Sequence, residues 1–342
     1  MTARKPFSVI RDGFRLLRCI TVPRLLNFFQ LLLSWFTARY LKVLVIPGGP
    51  SALSFEPTTR CNLRCPECPS GLRSFTRSQG DASMEVYQHT LEQMKDHLIW
   101  LNLYFQGEPL LHPQFHQMVR VAKERGFYVM TSTNGHFLSE EQSHEIVSSG
   151  LDRLVVSLDG LDQETYATYR RGGDVEEVIK GIETLCAVKK QRGVSHPYLI
   201  VQSLLFRHNI HQVQGVKELK RVDGVDEVQC KKAQFYDLSP ANTLIPEDSA
   251  FSRYRTDKET GYRIKSKFPN HCRRLWFGSV VTWDGDVIPC CYDKDATHRF
   301  GNIVNNPFRE IWNNTAYNDF RRQVFFFRKT LSVCTNCAEG VD

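Results

Sequence analysis

Between Ser51 and about Gln234 the sequence alternates between two periods, and this alternation constrains the fold more than any other feature. Short apolar, β-branched runs occur at Ala52–Glu56, Trp100–Phe105, Tyr128–Ser132, Arg153–Leu158, Tyr198–Phe206 and Glu227–Lys232. Helix-period segments separate them: Met84–His97, Phe115–Arg125, Glu140–Ser148, Val175–Gln191 and Ile210–Arg221. Gly126, Gly150, Gly193 and Gly224 stand near helix ends, where a C-terminal stop belongs. Strand, helix and strand repeated this often predict a parallel sheet with helical crossovers. Six units are too few for a closed eight-stranded barrel, so the expected class is α/β with an open, partial TIM-like (β/α)6 barrel. The C-terminal ends of such strands are where chemistry is placed.

Three further regions flank this core. Residues 1–50 read as one or two basic amphipathic helices, broken by Pro23 and the Pro47–Gly48–Gly49–Pro50 run. Residues 235–270 look irregular and read as a bridge. Residues 271–342 read as a second, small α+β unit: Val280–Trp283, Asp284–Gly285 and Val287–Cys290 predict a β-hairpin with a tight turn, and Phe308–Phe320 a short helix.

The formal charge of the 342-residue chain is +7. Through Lys42 there are eight basic residues against one acid, Asp12, so the excess belongs to the arm. No aromatic-and-basic motif accompanies it, so nucleic acid is not the expected partner. The arm reads either as a helix packed on the main domain or as a docking element for anionic lipid through residues 1–45. Its apolar stretch Leu25–Phe36 is interrupted by Asn27, Gln30 and Ser34 and falls short of the roughly 20 residues needed to cross a bilayer. The expected location is cytoplasmic; in the docking reading the arm would contact the inner face of the membrane. In a reducing compartment, eleven cysteines point to metal rather than disulfides.

Cys61, Cys65 and Cys68 directly follow the first strand, spaced Cys-x3-Cys-x2-Cys. Three thiolates on one short loop can ligate three irons of a four-iron cluster and leave the fourth iron open. Zinc competes, but a structural zinc site takes four ligands, and no fourth Cys or His lies close in sequence.

This spacing after a first strand resembles the signature of the radical S-adenosylmethionine (SAM) superfamily, whose open iron chelates SAM. The resemblance extends along the chain at successive strand ends. Phe105-Gln106-Gly107-Glu108-Pro109 resembles the family's GGEP motif, with Gly107 letting the backbone approach SAM and Glu108 meeting its amino group. Ser132 and Asn134 end the third strand, and Ser157 and Asp159 end the fourth, in positions to bind ribose or the SAM carboxylate. Arg170 resembles the arginine that pairs with that carboxylate, with Arg171 as the neighbouring alternative. Glu67 departs from the aromatic residue that many members carry just before the third cysteine.

Cys272, Cys290, Cys291, Cys334 and Cys337 lie in the last quarter. Gly285-x4-Cys290, Cys334-x2-Cys337, Gly301-Asn302 and Glu310-Ile311-Trp312-Asn313 resemble the C-terminal extension called SPASM, or its shorter form called twitch. A full SPASM unit carries two auxiliary clusters on about seven further cysteines. Five imply one auxiliary [4Fe-4S] cluster, ligated by Cys272, Cys290, Cys334 and Cys337. Four thiolates leave no open iron, which suits electron transfer; zinc would also suit four cysteines. Cys291 is left as a buried thiol, an alternative ligand or a hydrogen donor. Cys19, Cys186 and Cys230 read as structural.

The resemblance implies SAM and two [4Fe-4S] clusters as cofactors and a flavodoxin- or ferredoxin-type reductant. It also implies a 5′-deoxyadenosyl radical that abstracts a substrate hydrogen. The expected outcome is net oxidation of a small-molecule, sugar or lipid-linked substrate, with the auxiliary cluster as electron acceptor. A peptide or protein maturase is the alternative enzyme. An iron–sulfur electron-transfer or redox-sensing protein is the alternative without turnover. No catalytic base is identified; Tyr236, Asp237 and Asp293 are candidates by position alone.

Overall fold

A computed structural model describes residues 2–259 and 261–338. Six parallel strands follow the sequence pattern: β2 (Ala52–Phe55), β3 (Trp100–Asn102), β4 (Tyr128–Thr133), β5 (Arg153–Ser157), β6 (Tyr198–Leu205) and β7 (Glu227–Lys232). Before them β1 (Thr2–Arg4) runs antiparallel along β7. After them come a small hairpin, β8 (Tyr254–Asp257) with β9 (Gly261–Ile264), and a second one, β10 (Gly278–Val281) with β11 (Val287–Ile288). The large sheet has the order β1-β7-β6-β5-β4-β3-β2-β10-β11. It is an open partial barrel, as the alternation predicts.

The hairpin of the C-terminal unit continues this sheet: β10 pairs parallel with β2, with Val280 opposite Ser54. Its turn is tight, as Gly285 N–H donates to the Thr282 carbonyl (3.0 Å) and Gly285 takes φ +91°, a conformation that favours glycine. Several local expectations shift. Ile210–Arg221 is a broken run of 3-10 and α turns rather than one helix. The helix expected at Phe308–Phe320 is two, Phe308–Asn313 and Thr315–Phe327, because Asn314 caps the second by accepting from Tyr317 N–H (2.8 Å). The bridge holds the β8–β9 hairpin.

Alternation along each strand divides the residues between two faces. Leu53, Leu101, Val129, Leu154, Val156, Leu199 and Val201 point outward and are fully buried beneath the helical layer. Each such side chain contributes about 2–3 kcal/mol of burial energy. Inward-facing residues form layers. At the N-terminal strand ends, the Arg153 guanidinium lies over the rings of Trp100 (5.2 Å), Tyr128 (5.8 Å) and Tyr198 (5.1 Å). Asp12, from helix α1 (Pro6–Leu17), accepts from Tyr128 Oη and pairs with Arg153, so α1 plugs this end. Helix α2 (Val22–Leu41) follows. The opposite end of the barrel stays available for the cysteine loop.

Candidate SAM and iron–sulfur site

The loop after β2 carries Cys61, Cys65 and Cys68, and almost every neighbouring strand end grips it. Gly107 N–H donates to Ser70 Oγ (3.0 Å), and Glu108 N–H donates to the Arg60 carbonyl (2.7 Å). Asn134 Nδ2 donates to Asn62 Oδ1 (2.7 Å), and Arg64 N–H to the Arg171 carbonyl (2.9 Å). Gly107 has φ +74°, and a Cβ there would stand 2.4 Å from the Thr58 carbonyl oxygen. The close approach that needs a glycine is therefore to the cysteine loop itself, a contact sequence reasoning had directed at the cofactor.

The three sulfurs sit in an apolar shelter of Leu63, Tyr169, Phe206 and Phe235. Burial pushes the Cys61 thiol up to about 11 and raises Cys65 as well. Soft sulfur donors grouped on one loop, shielded from water and neutral until metal displaces their protons, fit an iron–sulfur cluster.

Glu108 is 2% exposed. Its carboxylate accepts from Thr133 Oγ1 (2.7 Å), Leu110 N–H (3.2 Å) and Asn134 N–H (2.7 Å). A carboxylate has about four acceptor positions, so one remains for a ligand cation. Burial raises Glu108 to about 6 against these three bonds. Arg170, rather than the exposed Arg171, points inward beside Cys65. Its Nε donates to Asp159 Oδ2 (2.6 Å), while Asp159 Oδ1 accepts from Leu204 N–H (2.6 Å). Asp159 is fully buried and spends its carboxylate on orienting Arg170 and tying β5 to β6. It thus acts behind Arg170 rather than lying open to a ribose. Ser132 and Ser157 lie on the inward face of β4 and β5 near the same strand ends.

Glu67 has a role the sequence did not reveal. Its carboxylate accepts from Tyr236 N–H (2.7 Å) and Asn242 Nδ2 (2.8 Å), fastening the bridge over the loop. The aspartates proposed by position are otherwise engaged. Asp293 is buried and accepts from Thr297 and His298, and Asp237 closes a local turn with Ser239 N–H (2.9 Å). Tyr236 places its ring beneath the Lys294 ammonium (4.7 Å).

Cys272, Cys290, Cys334 and Cys337 line one small pocket with Tyr292, Phe320 and Arg328. Arg328 is 1% exposed and donates from Nη2 to Cys337 Sγ (3.2 Å). A buried guanidinium here would offset the negative charge of thiolates ligating a cluster in this pocket. Cys291 lines a different pocket, on the inward side of β2 and β10, with Ser54, Asn102 and Arg274. It is exposed there, not buried, and Arg274 Nη1 lies 3.8 Å from its sulfur. Pro69 and Ser74 of the first cysteine loop and Tyr292, Lys294 and Val333 of the C-terminal unit line one pocket, so the two cysteine groups flank it. Lys294 and Arg274 carry no local signal in the sequence.

Residues 55–203 match the family model of the radical SAM superfamily, and residues 272–338 match that of the SPASM iron–sulfur cluster-binding domain. The chain is a radical SAM protein. Its two domains imply SAM, a SAM-binding [4Fe-4S] cluster and auxiliary [4Fe-4S] ligation. This radical SAM protein is 26% identical over 317 residues to the tungsten-containing aldehyde ferredoxin oxidoreductase cofactor-modifying protein of Pyrococcus furiosus, covering 84% of this chain and 86% of that one. It is 26% identical over 309 residues to the AdoMet-dependent heme synthase of Methanosarcina barkeri, covering 80% and 84%. Its fold is similar to that of Streptococcus suis SuiB bound to S-adenosylmethionine (TM-score 0.62, 14% identity, 89% of this chain and 75% of that one).

Proposed function

We propose that this radical SAM protein oxidises a small-molecule, sugar or lipid-linked substrate by two electrons. The observation that carries this reading is a pocket between the two cysteine groups: Pro69, next to Cys68, and Val333, next to Cys334, line it together with Tyr236, Tyr292 and Lys294, so a substrate held there lies beside both. In this reading Cys61, Cys65 and Cys68 hold the SAM-binding cluster, and Cys272, Cys290, Cys334 and Cys337 hold the auxiliary one. When bound, the first cluster supplies one electron that splits SAM to methionine and a 5′-deoxyadenosyl radical, which removes a hydrogen atom from substrate. The auxiliary cluster, held by Cys272, Cys290, Cys334 and Cys337, would supply the acceptor for the second electron of the oxidation. An electron-transfer protein of the flavodoxin or ferredoxin type supplies the reducing electron.

The chain's own residues position these parts. Glu108 offers its free acceptor position to the SAM ammonium, and Arg170, aimed by Asp159, faces the SAM carboxylate. Gly107 and Pro109 shape the turn that carries Glu108. Ser132, Asn134 and Ser157 supply polar contacts at the strand ends. The apolar shelter and the bridge held by Glu67 exclude water from the radical. The two curated relatives are named for cofactor modification and heme synthesis, which favours a non-peptide substrate.

Two outcomes follow. Because Glu108 is raised to about 6, its carboxyl becomes neutral as pH falls through that value and loses its attraction for an ammonium. SAM affinity of the cluster-loaded protein, measured by titration calorimetry, should fall severalfold between about pH 7 and pH 5. Glu108→Gln should be weaker at neutral pH and flat across this range; an equally steep profile in the variant would remove Glu108 from the site.

Anaerobic protein with dithionite and SAM should yield 5′-deoxyadenosine. Cys334→Ala should keep that cleavage and lose substrate oxidation, because only the auxiliary cluster is damaged. An EPR signal of the reduced protein that ignores added SAM would overturn the assignment.

A further inference from the structure

Helix α1 is inverted relative to an ordinary surface helix, polar toward the protein and apolar outward, and α2, which buries Leu31, Trp35 and Ala38 beside Arg24, Asn27 and Ser34, is apolar on its outer side as well. In α1 the inward side carries Asp12, bonded to Tyr128 and Arg153, and Arg15, whose Nε donates to Asp152 Oδ1 (2.9 Å). The outward side carries Phe7, Ile10, Phe14 and Leu17, spaced three, four and three apart and 54–78% exposed. In α2 the buried Arg24 donates to the carbonyls of Cys19, Lys95, Arg125 and Gly126 (2.6–3.0 Å). Asn27 exchanges two bonds with Gly49, and Ser34 accepts from Trp276 Nε1 (3.0 Å). Val22, Leu26, Phe29, Leu33, Phe36 and Tyr40 project outward.

Of the large apolar side chains exposed among the described residues, 15 of 20 fall between Phe7 and Val45. Buried polar contacts fasten both helices to the barrel, so their exposed apolar sides stay outward. A continuous apolar face of this extent calls for an occupant.

Charge selects among occupants. Arg11, Arg18 and Lys42 are exposed around the apolar face, and Asp12, the only acid before Asp81 apart from Glu56 and Glu67, is buried. A second copy related by a two-fold axis would set these cations against themselves. An anionic bilayer offers hydrocarbon to the apolar face and opposite charge to its rim. No single helix among the described residues is long and apolar enough to cross a membrane; the two together are, but they meet at a 100° bend. Asp12, Arg15 and Arg24 fasten both to the barrel, so both lie along its surface.

We propose that α1 and α2 form a docking face for an anionic membrane surface, with Phe7, Phe14, Phe29 and Phe36 entering the hydrocarbon boundary and Arg11, Arg18 and Lys42 meeting lipid headgroups. The face adjoins the interior: Phe28 of α2 contacts Phe277 (5.5 Å between rings), which lines the pocket that holds Cys291.

The test uses the full-length, cluster-loaded protein in vesicle flotation. Phosphatidylcholine vesicles with phosphatidylglycerol at about three parts in ten should carry the protein at least about tenfold better than phosphatidylcholine alone, and 0.5 M salt (about a 4 Å screening length) should release much of it. Phe14→Glu with Phe29→Glu should cut the bound fraction about tenfold while the iron–sulfur absorbance persists. Val304→Glu, at an exposed apolar position outside the arm, should bind as the wild type does. If the double variant fails to fold, the lipid and salt dependence of the wild type decides. Wild type that floats with neither vesicle, or equally with both, overturns the proposal. So does a dimer in light scattering that the double variant splits, which would assign the face to a second copy.

Discussion

Cys61→Ala should reduce 5′-deoxyadenosine formation from SAM by more than about a thousandfold, equivalent to ~4 kcal/mol of barrier. The reason is coordination. A cluster held by three thiolates with one open iron has no spare protein ligand, and the loop that carries Cys61 is fixed on all sides. Gly107, Glu108, Asn134 and Arg171 hold its backbone or side chains, so no neighbouring residue can swing in to replace the sulfur. Chromatography of anaerobic reactions with dithionite reads the product directly. Cys19→Ala, at a buried thiol near the opposite end of the barrel, should retain cleavage and serves as the control. Ordinary cleavage by Cys61→Ala would end the assignment of the loop to SAM chemistry.

Arg77→Met should destabilise the protein by ~3–5 kcal/mol, the cost of leaving a buried charge without its partner. Glu56 follows β2 and is fully buried; Arg77 grips it with two bonds of 2.6 and 2.7 Å. Trp283 N–H, in the hairpin turn of the C-terminal unit, donates to the same carboxylate (3.3 Å), and Arg77 Nε donates to the Lys294 carbonyl (3.3 Å). This pair therefore fastens the barrel to the SPASM unit. Burial alone pushes the Glu56 carboxyl up, and the arginine opposes that shift. For a chain of this size the loss corresponds to a fall of roughly 4–7 °C in apparent Tm. Adding Glu56→Gln should recover part of it, because an uncharged side chain costs less to bury than an unpaired carboxylate. Denaturant unfolding of the single and double variants measures both effects. A single-variant loss below about 1 kcal/mol would mean that water reaches the pair.

How much was legible in the sequence followed from the range of the interaction. Alternating periods placed all six barrel strands, and the glycines near Gly126 and Gly150 marked helix ends, because those signals lie within a few residues of what they specify. The spacing of Cys61, Cys65 and Cys68 and the order of Glu108, Asn134 and Arg170 behind it were local patterns too, and the family match bears out the recognition drawn from them. The helix expected across Phe308–Phe320 was missed as two because one residue, Asn314, was free to act as a cap.

Tertiary structure alone decided the remainder. β10 joins the barrel beside β2, more than two hundred residues away in sequence, so the C-terminal hairpin extends the sheet instead of standing apart. Asp159 lies behind Arg170, and Asp293 is spent on its own turn, facts fixed by which donors the folded chain brings to each carboxylate. The sequence of α1 and α2 announced amphipathic helices but not their orientation. Which side faces inward depends on distant partners, Arg153 for Asp12 in α1 and Trp276 for Ser34 in α2, where Leu31, Trp35 and Ala38 are buried on the same side, and a second apolar side is left outward. Local chemistry named the parts; long-range hydrogen bonding and charge pairing determined the way they point.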